Sequence, residues 1–252
     1  MSFSALYLAG GRVRLTGAAW PEAWAPFATP APADFAVDLH IEMAAAPTIA
    51  LPVEPGGFSF RRHDLSFAID ADRRRAQART DGSLGGLSAA LELALQTALL
   101  PRGGLLVHAA GVVVDEAAWL LPGPSGAGKS TAARGGFARV LSDERVAVRR
   151  EAGGWRAFGT PWWSGGQTSR LDAGSAPLAV LAELRWAERA ATRTASPAAV
   201  AGRLMGAVAL YETDEAAQRA AFEAALDLVE ATRCVTLDFP REGRWASQLA
   251  TA

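Results

Sequence analysis

Eight consecutive residues, Gly123-Pro124-Ser125-Gly126-Ala127-Gly128-Lys129-Ser130, most narrowly limit what this chain can fold into. They fit the phosphate-binding loop pattern Gly-x-x-x-x-Gly-Lys-Ser, and Thr131 follows. Such a loop works between a strand and a helix. Its glycines let the main chain curl until successive N–H groups point inward, and the helix start adds the positive end of its dipole. The flanks read correctly: Trp119-Leu120-Leu121 as a short strand, Ala132-Ala133-Arg134 as the opening of a helix. In this pattern Lys129 reaches the β- and γ-phosphates and the Ser130 hydroxyl ligates Mg²⁺. The motif predicts that Gly123 through Thr131 hold ATP or another nucleoside triphosphate together with Mg²⁺. The bland alternative is a glycine-rich turn that holds no ligand.

Composition bears directly on that choice. The chain has 24 Arg and 56 Ala but a single Lys, Lys129. A compact ammonium on a flexible stem fits where a planar guanidinium does not, so a lone Lys inside this loop favours the ligand-binding reading. The formal net charge of −1 argues against a general nucleic-acid binder, which needs excess basic charge to displace counterions. No run of 18 apolar residues occurs, so no membrane span is expected. The start, Met1 to Leu15, lacks the basic-then-apolar order of a signal peptide. The single cysteine, Cys234, excludes an internal disulfide and a Cys-based zinc site. A cytoplasmic, soluble protein with neither a nucleic-acid nor a membrane partner is the simplest expectation.

At 252 residues the chain suits one large domain, or a core domain with a smaller companion. Residues 1–83 are rich in Pro and Gly. Phe58-Ser59-Phe60-Arg61 and Leu65-Ser66-Phe67-Ala68-Ile69 read as small antiparallel strands bounded by Gly56-Gly57, Asp70 and Asp72. Arg73-Arg74-Arg75 reads as a solvated hairpin edge. Leu84, Leu87, Leu91, Leu95 and Leu99 are spaced by three and four, the apolar face of a helix that Pro101 and Gly103-Gly104 end. Strands follow at Leu105 to Val114, around Leu141, at Val146 to Val148 and at Trp155 to Phe158. A helix over 214–230 would bury Phe222, Leu226 and Val229, and Val235-Thr236-Leu237 forms a late strand. The fold class is α/β, divided into a β-rich region over 1–83, a candidate for substrate recognition, and a P-loop core over 84–252.

Three further features carry chemistry. Leu141-Ser142-Asp143-Glu144 ends an apolar step 13 residues beyond Ser130, so an acidic group there could hold Mg²⁺ or accept a hydroxyl proton. Most P-loop ATPases place their second acidic motif further along. His108 lies mid-strand, 15 residues before Gly123. Ser164-Gly165-Gly166-Gln167 matches the core of the ABC-transporter signature, but it follows the acidic strand instead of preceding it, so it reads as a glycine-containing loop. Trp155, Phe158, Trp162 and Trp163 could wall a groove, although core packing is the simpler reading.

Val107-His108-Ala109-Ala110-Gly111, the loop Gly123 to Thr131, and Leu141-Ser142-Asp143-Glu144-Arg145-Val146 together resemble the catalytic core of HPr kinase/phosphorylase. That family has a P-loop fold related to phosphoenolpyruvate carboxykinase. The likeness is closest over 103–150 and looser through Phe158-Gly159-Thr160-Pro161 and Pro177. It implies Asp143 as general base toward an acceptor serine and His108 as an active-site residue. It implies Lys129 on phosphate, and Ser130, Asp143 and Glu144 at the metal. Glu144 stands where the family usually has a second Asp. The downstream Glu-x-Arg-Gly-Leu-Gly signature has only the fragment Glu183-Leu184-Arg185, and residues 1–83 do not resemble the usual regulatory domain. The chain is thus most similar to the shorter HPr-kinase-related proteins, some of which modify peptides. The resemblance implies a kinase for a hydroxyl of a peptide or protein, with Arg145 and Arg170 as candidate helpers and self-association as in hexameric relatives. A nucleotide-sensing partner without catalysis, and a phosphoserine phosphorylase, are the alternatives.

Overall fold

A computed structural model describes residues 4–44, 49–164 and 172–249. The protein is mixed α/β and divides into two compact units. One comprises Met1–Arg102 with Leu210–Ala217, the other Gly103–Ala209 with Gln218–Ala252.

The first unit is built on β1 (Ala5–Leu8), β2 (Gly11–Thr16), β3 (Phe35–Met43), β4 (Phe58–Arg62), β5 (Leu65–Ile69) and β6 (Arg75–Thr80), followed by α1 (Leu84–Leu99). The sheet order is β1-β2-β3-β6-β5-β4. The β4–β5 and β5–β6 pairs are antiparallel, as their turn residues predict, but β2–β3 and β3–β6 are parallel. Strict alternation on β2 and β3 sends Val13, Leu15, Val37 and Leu39 into the core and Arg14 and His40 to solvent. Ser83 caps α1 by accepting from the Gly86 amide at 3.1 Å. Leu87, Leu91, Leu95 and Leu99 are buried as their spacing predicts, while Leu84, in the uncovered first turn, is exposed.

Helix α1 packs on β2, β3, β5 and β6, so it belongs with the β-rich region and not with the P-loop core that begins at residue 84 in the sequence-based division. By length and apolar composition Leu84–Arg102 could cross a membrane, yet 61% of that stretch is buried, as a core helix would be. The hairpin Arg73-Arg74-Arg75 is solvated only in part. Arg74 and Arg75 are exposed, but Arg73 is mostly covered and pairs with the buried Glu212. Glu212 comes from the returning segment, where Tyr211 also bonds Glu92 and packs edge-on against Phe60.

The second unit carries β7 (Gly104–Val107), β8 (Ala109–Val114), β9 (Ala117–Pro122), α2 (Lys129–Ala133), β10 (Arg139–Ser142), β11 (Val146–Glu151) and β12 (Gly154–Phe158). It continues with β13 (Ser175–Trp186), β14 (Ala191–Thr194), α3 (Pro197–Met205), most of α4 (Glu215–Ala231) and β15 (Arg233–Phe239). The sheet runs β10-β8-β9-β13-β12-β11-β7, with β15 also pairing β13 and β14. The twelve-residue β13 joins its two halves, pairing β12 through its first residues and β9 and β15 in parallel beyond. Val112, Trp119, Leu121, Leu237 and Phe239 form one core layer with Ala132, Ala133 and Trp245.

Two expectations are corrected here. Helix α4 buries Ala221, Ala225, Leu228 and Val229, whereas Phe222 and Leu226 are exposed. The buried stripe is set by small alanines, lying one position around from the bulky residues. Helix α2 extends only from Lys129 to Ala133, because Gly135-Gly136 follows at once and Gly136 takes φ +99°. Gly135 also lies against Trp245, where a Cβ would meet the indole at 2.5 Å.

Candidate functional site

The site grows from three breaks between strands of the second unit: the one-residue bend at His108 between β7 and β8, which interrupts the run expected from Leu105 to Val114, the loop after β9, and the turn after β10. A main-chain bond links the first two, for the Gly123 amide donates to the His108 carbonyl at 3.4 Å. His108 itself is fixed by its amide donating to the Ala207 carbonyl at 2.7 Å.

The loop Gly123 to Gly128 is an open curl. Gly126 and Gly128 adopt φ +80° and +95°, which only glycine takes without strain. Among the described residues, the amides of Gly126, Gly128, Lys129, Ser130 and Thr131 donate to no protein acceptor. Ala127 makes a turn bond to the Pro124 carbonyl, and the first helical bond is Ala132 N to Gly128 O. Unpaired N–H groups around a curl are the donor set of an anion nest. The short α2 has little dipole to add, so the nest is the main attraction. Lys129 is buried, and its Nζ donates to the carbonyls of Gly123 and Pro124, each at 2.9 Å. Burial lowers its pKa; the charge of Glu144 pulls it back up, Arg145 opposes that, and Asp143 adds a smaller upward pull. Gly128 is walled by Trp186 and Phe239, whose rings stand 4.5 Å apart.

Asp143 follows β10 directly and is buried. Its turn is shaped by Ser142, whose Oγ accepts from the amides of Glu144 and Arg145, both at 3.1 Å, and donates to the Trp162 carbonyl at 2.6 Å. The Thr160 hydroxyl donates to the Arg145 carbonyl. These ties bring the segment after β12 over the acidic turn. There Ser164 donates its amide to Asp143 Oδ1 at 2.8 Å and its hydroxyl to Oδ2 at 2.5 Å. Ser164 Oγ also lies 2.5 Å from Ser130 Oγ. Ser130 and Asp143 are therefore joined through one intervening hydroxyl.

Glu144 is placed differently. Its Oε1 is 3.5 Å from His108 Nε2 and 3.2 Å from Arg145 Nη1. Burial, helped by the charges of Lys129 and Arg145, pulls the His108 pKa down to about 4. The imidazole is neutral at pH 7, and its approach to Glu144 is not an ion pair there. No group of three or more His, Cys, Asp or Glu suited to a metal occurs among the described residues. A metal at this site would rest on Ser130, Asp143 and the oxygens of a bound phosphate chain, with Glu144 already bonded by Arg145.

The structure thus gathers His108, Gly123 to Thr131, Asp143, Glu144 and Arg145 within one network. Arg170, and Gly165 to Gln167 of the glycine-containing loop, lie outside the described residues. Trp155 and Trp162 are buried, and Trp155 Nε1 donates to Asp227 at 2.8 Å, as core residues do. Sequence reasoning missed Ser142, Thr160 and Ser164 as site residues. Ser164 was visible only as the first residue of a loop set aside on grounds of order. No protein-family model matches the sequence, and no curated protein matches it.

Proposed function

We propose that the second unit is an HPr-kinase-like P-loop kinase that transfers a phosphoryl group from ATP to a hydroxyl, in the first instance a serine of a peptide or protein. The observation that carries this reading is the pairing of a nest of unbonded amides with a buried carboxylate that already holds a serine hydroxyl, Ser130 standing between them. Bound MgATP supplies the electrophilic phosphorus and most of the charge neutralisation. The amides of Gly126, Gly128, Lys129, Ser130 and Thr131 orient the phosphate oxygens. Lys129 reaches them by leaving the carbonyls of Gly123 and Pro124. Asp143 holds the acceptor hydroxyl and takes its proton, while Ser142 fixes the turn that aims Asp143. His108 stands 3.5 Å from Glu144 and, neutral at pH 7, carries no charge of its own. The setting we propose is cytoplasmic, with the first unit as the place where substrate is recognised.

Two variants test this reading. Asp143→Asn should leave MgATP affinity within a few-fold and lower transfer by about 10²-fold or more. Lys129→Ala should weaken nucleotide binding and transfer together. Calorimetry and phosphate incorporation are the readouts; wild-type-like behaviour in both variants would refute the assignment.

A further inference from the structure

We propose that Ser164 is an internal phosphoryl acceptor, a modification site occupying the place of the substrate hydroxyl when no peptide is bound. This rests on the kinase reading above.

The geometry is specific. Ser164 Oγ donates to Asp143 Oδ2 at 2.5 Å, the contact a general base makes with the hydroxyl it activates. Its amide holds the other oxygen of the same carboxylate at 2.8 Å, so the residue is fixed by main chain as well as side chain. The same hydroxyl is 2.5 Å from the Oγ of Ser130, a residue whose amide is part of the phosphate nest. Further anchors sit just before Ser164. The Trp162 carbonyl is held by Ser142, and Thr160 is tied to the Arg145 carbonyl. The segment bearing the hydroxyl is bound to the turn bearing the base.

Transfer to this serine balances with ATP alone. Asp143 accepts the Ser164 proton as the Oγ–Pγ bond forms. The bond from Pγ to the β,γ-bridging oxygen breaks, and ADP leaves with that electron pair. The product phosphoserine carries roughly −1.5 to −2 charge at neutral pH beside the Asp143 carboxylate. It would exclude a second acceptor, so modification is limited to one event per chain.

The full chain should be incubated with MgATP and no added peptide, then analysed by intact mass and by peptide mapping. Binding of the non-hydrolysable β,γ-imido analogue of ATP is measured in parallel. The expected result is one phosphoryl group per chain, located on Ser164, and none in Ser164→Ala or Asp143→Asn. Ser164→Ala should also bind the analogue about two- to fivefold more tightly, because the Ser164–Ser130 contact no longer has to open. Weaker binding would mean that Ser164 builds the nucleotide site, and it would overturn the proposal. If the wild type binds the analogue yet gains no phosphate, or gains it elsewhere, this inference falls and the kinase reading stands. If no nucleotide binds, both fall.

Discussion

Replacing Gly128 by Ala tests the architecture of the phosphate loop independently of any substrate. Gly128 sits at φ +95°, ψ 11°, a left-handed conformation that L-residues adopt only with strain. Adopting a left-handed conformation costs an L-residue roughly 1–2 kcal/mol. The added Cβ would also stand 2.8 Å from Trp186 Cζ2 and 3.0 Å from Phe239 Cζ, both inside normal contact. Trp186 is 38% exposed and can swing away, but Phe239 is fully buried and cannot. Overpacking of this kind costs about 1–3 kcal/mol, for a total near 2–5 kcal/mol. Gly126 is the internal control. It has φ +80° with nothing within 4 Å of an added Cβ, so Gly126→Ala carries only the backbone cost of about 1–2 kcal/mol. Urea unfolding of the two variants beside the wild type measures the difference. Equal losses, or a neutral Gly128→Ala, would show that the aromatic wall does not close on the loop as described.

Other expectations follow from the site and its supports. His108 should titrate near 4 by NMR, and a value near the ordinary 6.5 would contradict its burial beside the cations of Lys129 and Arg145. Because its folded pKa is depressed, the stability it contributes is complete above pH 6.5 and is lost as pH falls toward 4, up to about 3 kcal/mol, a loss absent in His108→Asn. Ser142→Ala removes three hydrogen bonds at the acidic turn and should cost about 2–4 kcal/mol in chemical denaturation, with phosphoryl transfer suffering more than nucleotide binding. Arg73→Met leaves Glu212 buried without its partner and should destabilise by about 3 kcal/mol, most of it recovered in the double variant with Glu212→Gln. No recovery would mean that Arg73 acts through the carbonyls of Gly56 and Asp70 instead.

Features with a local physical signal were legible in the sequence. The leucines of α1 repeat at helical spacing, the β4–β5 hairpin alternates between turn residues, and the loop from Gly123 to Thr131 announces itself through glycines and the lone lysine. Asp143 was found through its short distance from that loop. Ser164 was not, because a serine beside glycines carries no periodic signal and its contact with Asp143 depends on ties made by Ser142 and Thr160. The buried face of α4 was misplaced because Phe222 and Leu226 outweigh alanines in hydropathy, although Ala221 and Ala225 make the buried stripe. The parallel β2–β3 and β3–β6 pairs have no sequence signature of their own. Nor does the return of Leu210–Ala217 to the first unit, since its decisive residues, Tyr211 and Glu212, find partners more than a hundred positions earlier.

That return has a consequence for synthesis and dissection. The first unit is not finished when residue 102 has been made. Glu92 and Phe60 wait for Tyr211, and Arg73 for Glu212, while the whole span from β7 to α3 is produced in between. On the ribosome the amino-terminal sheet must therefore persist half-dressed until the later stretch emerges. A protein severed after Arg102 would yield a fragment lacking its last clasp.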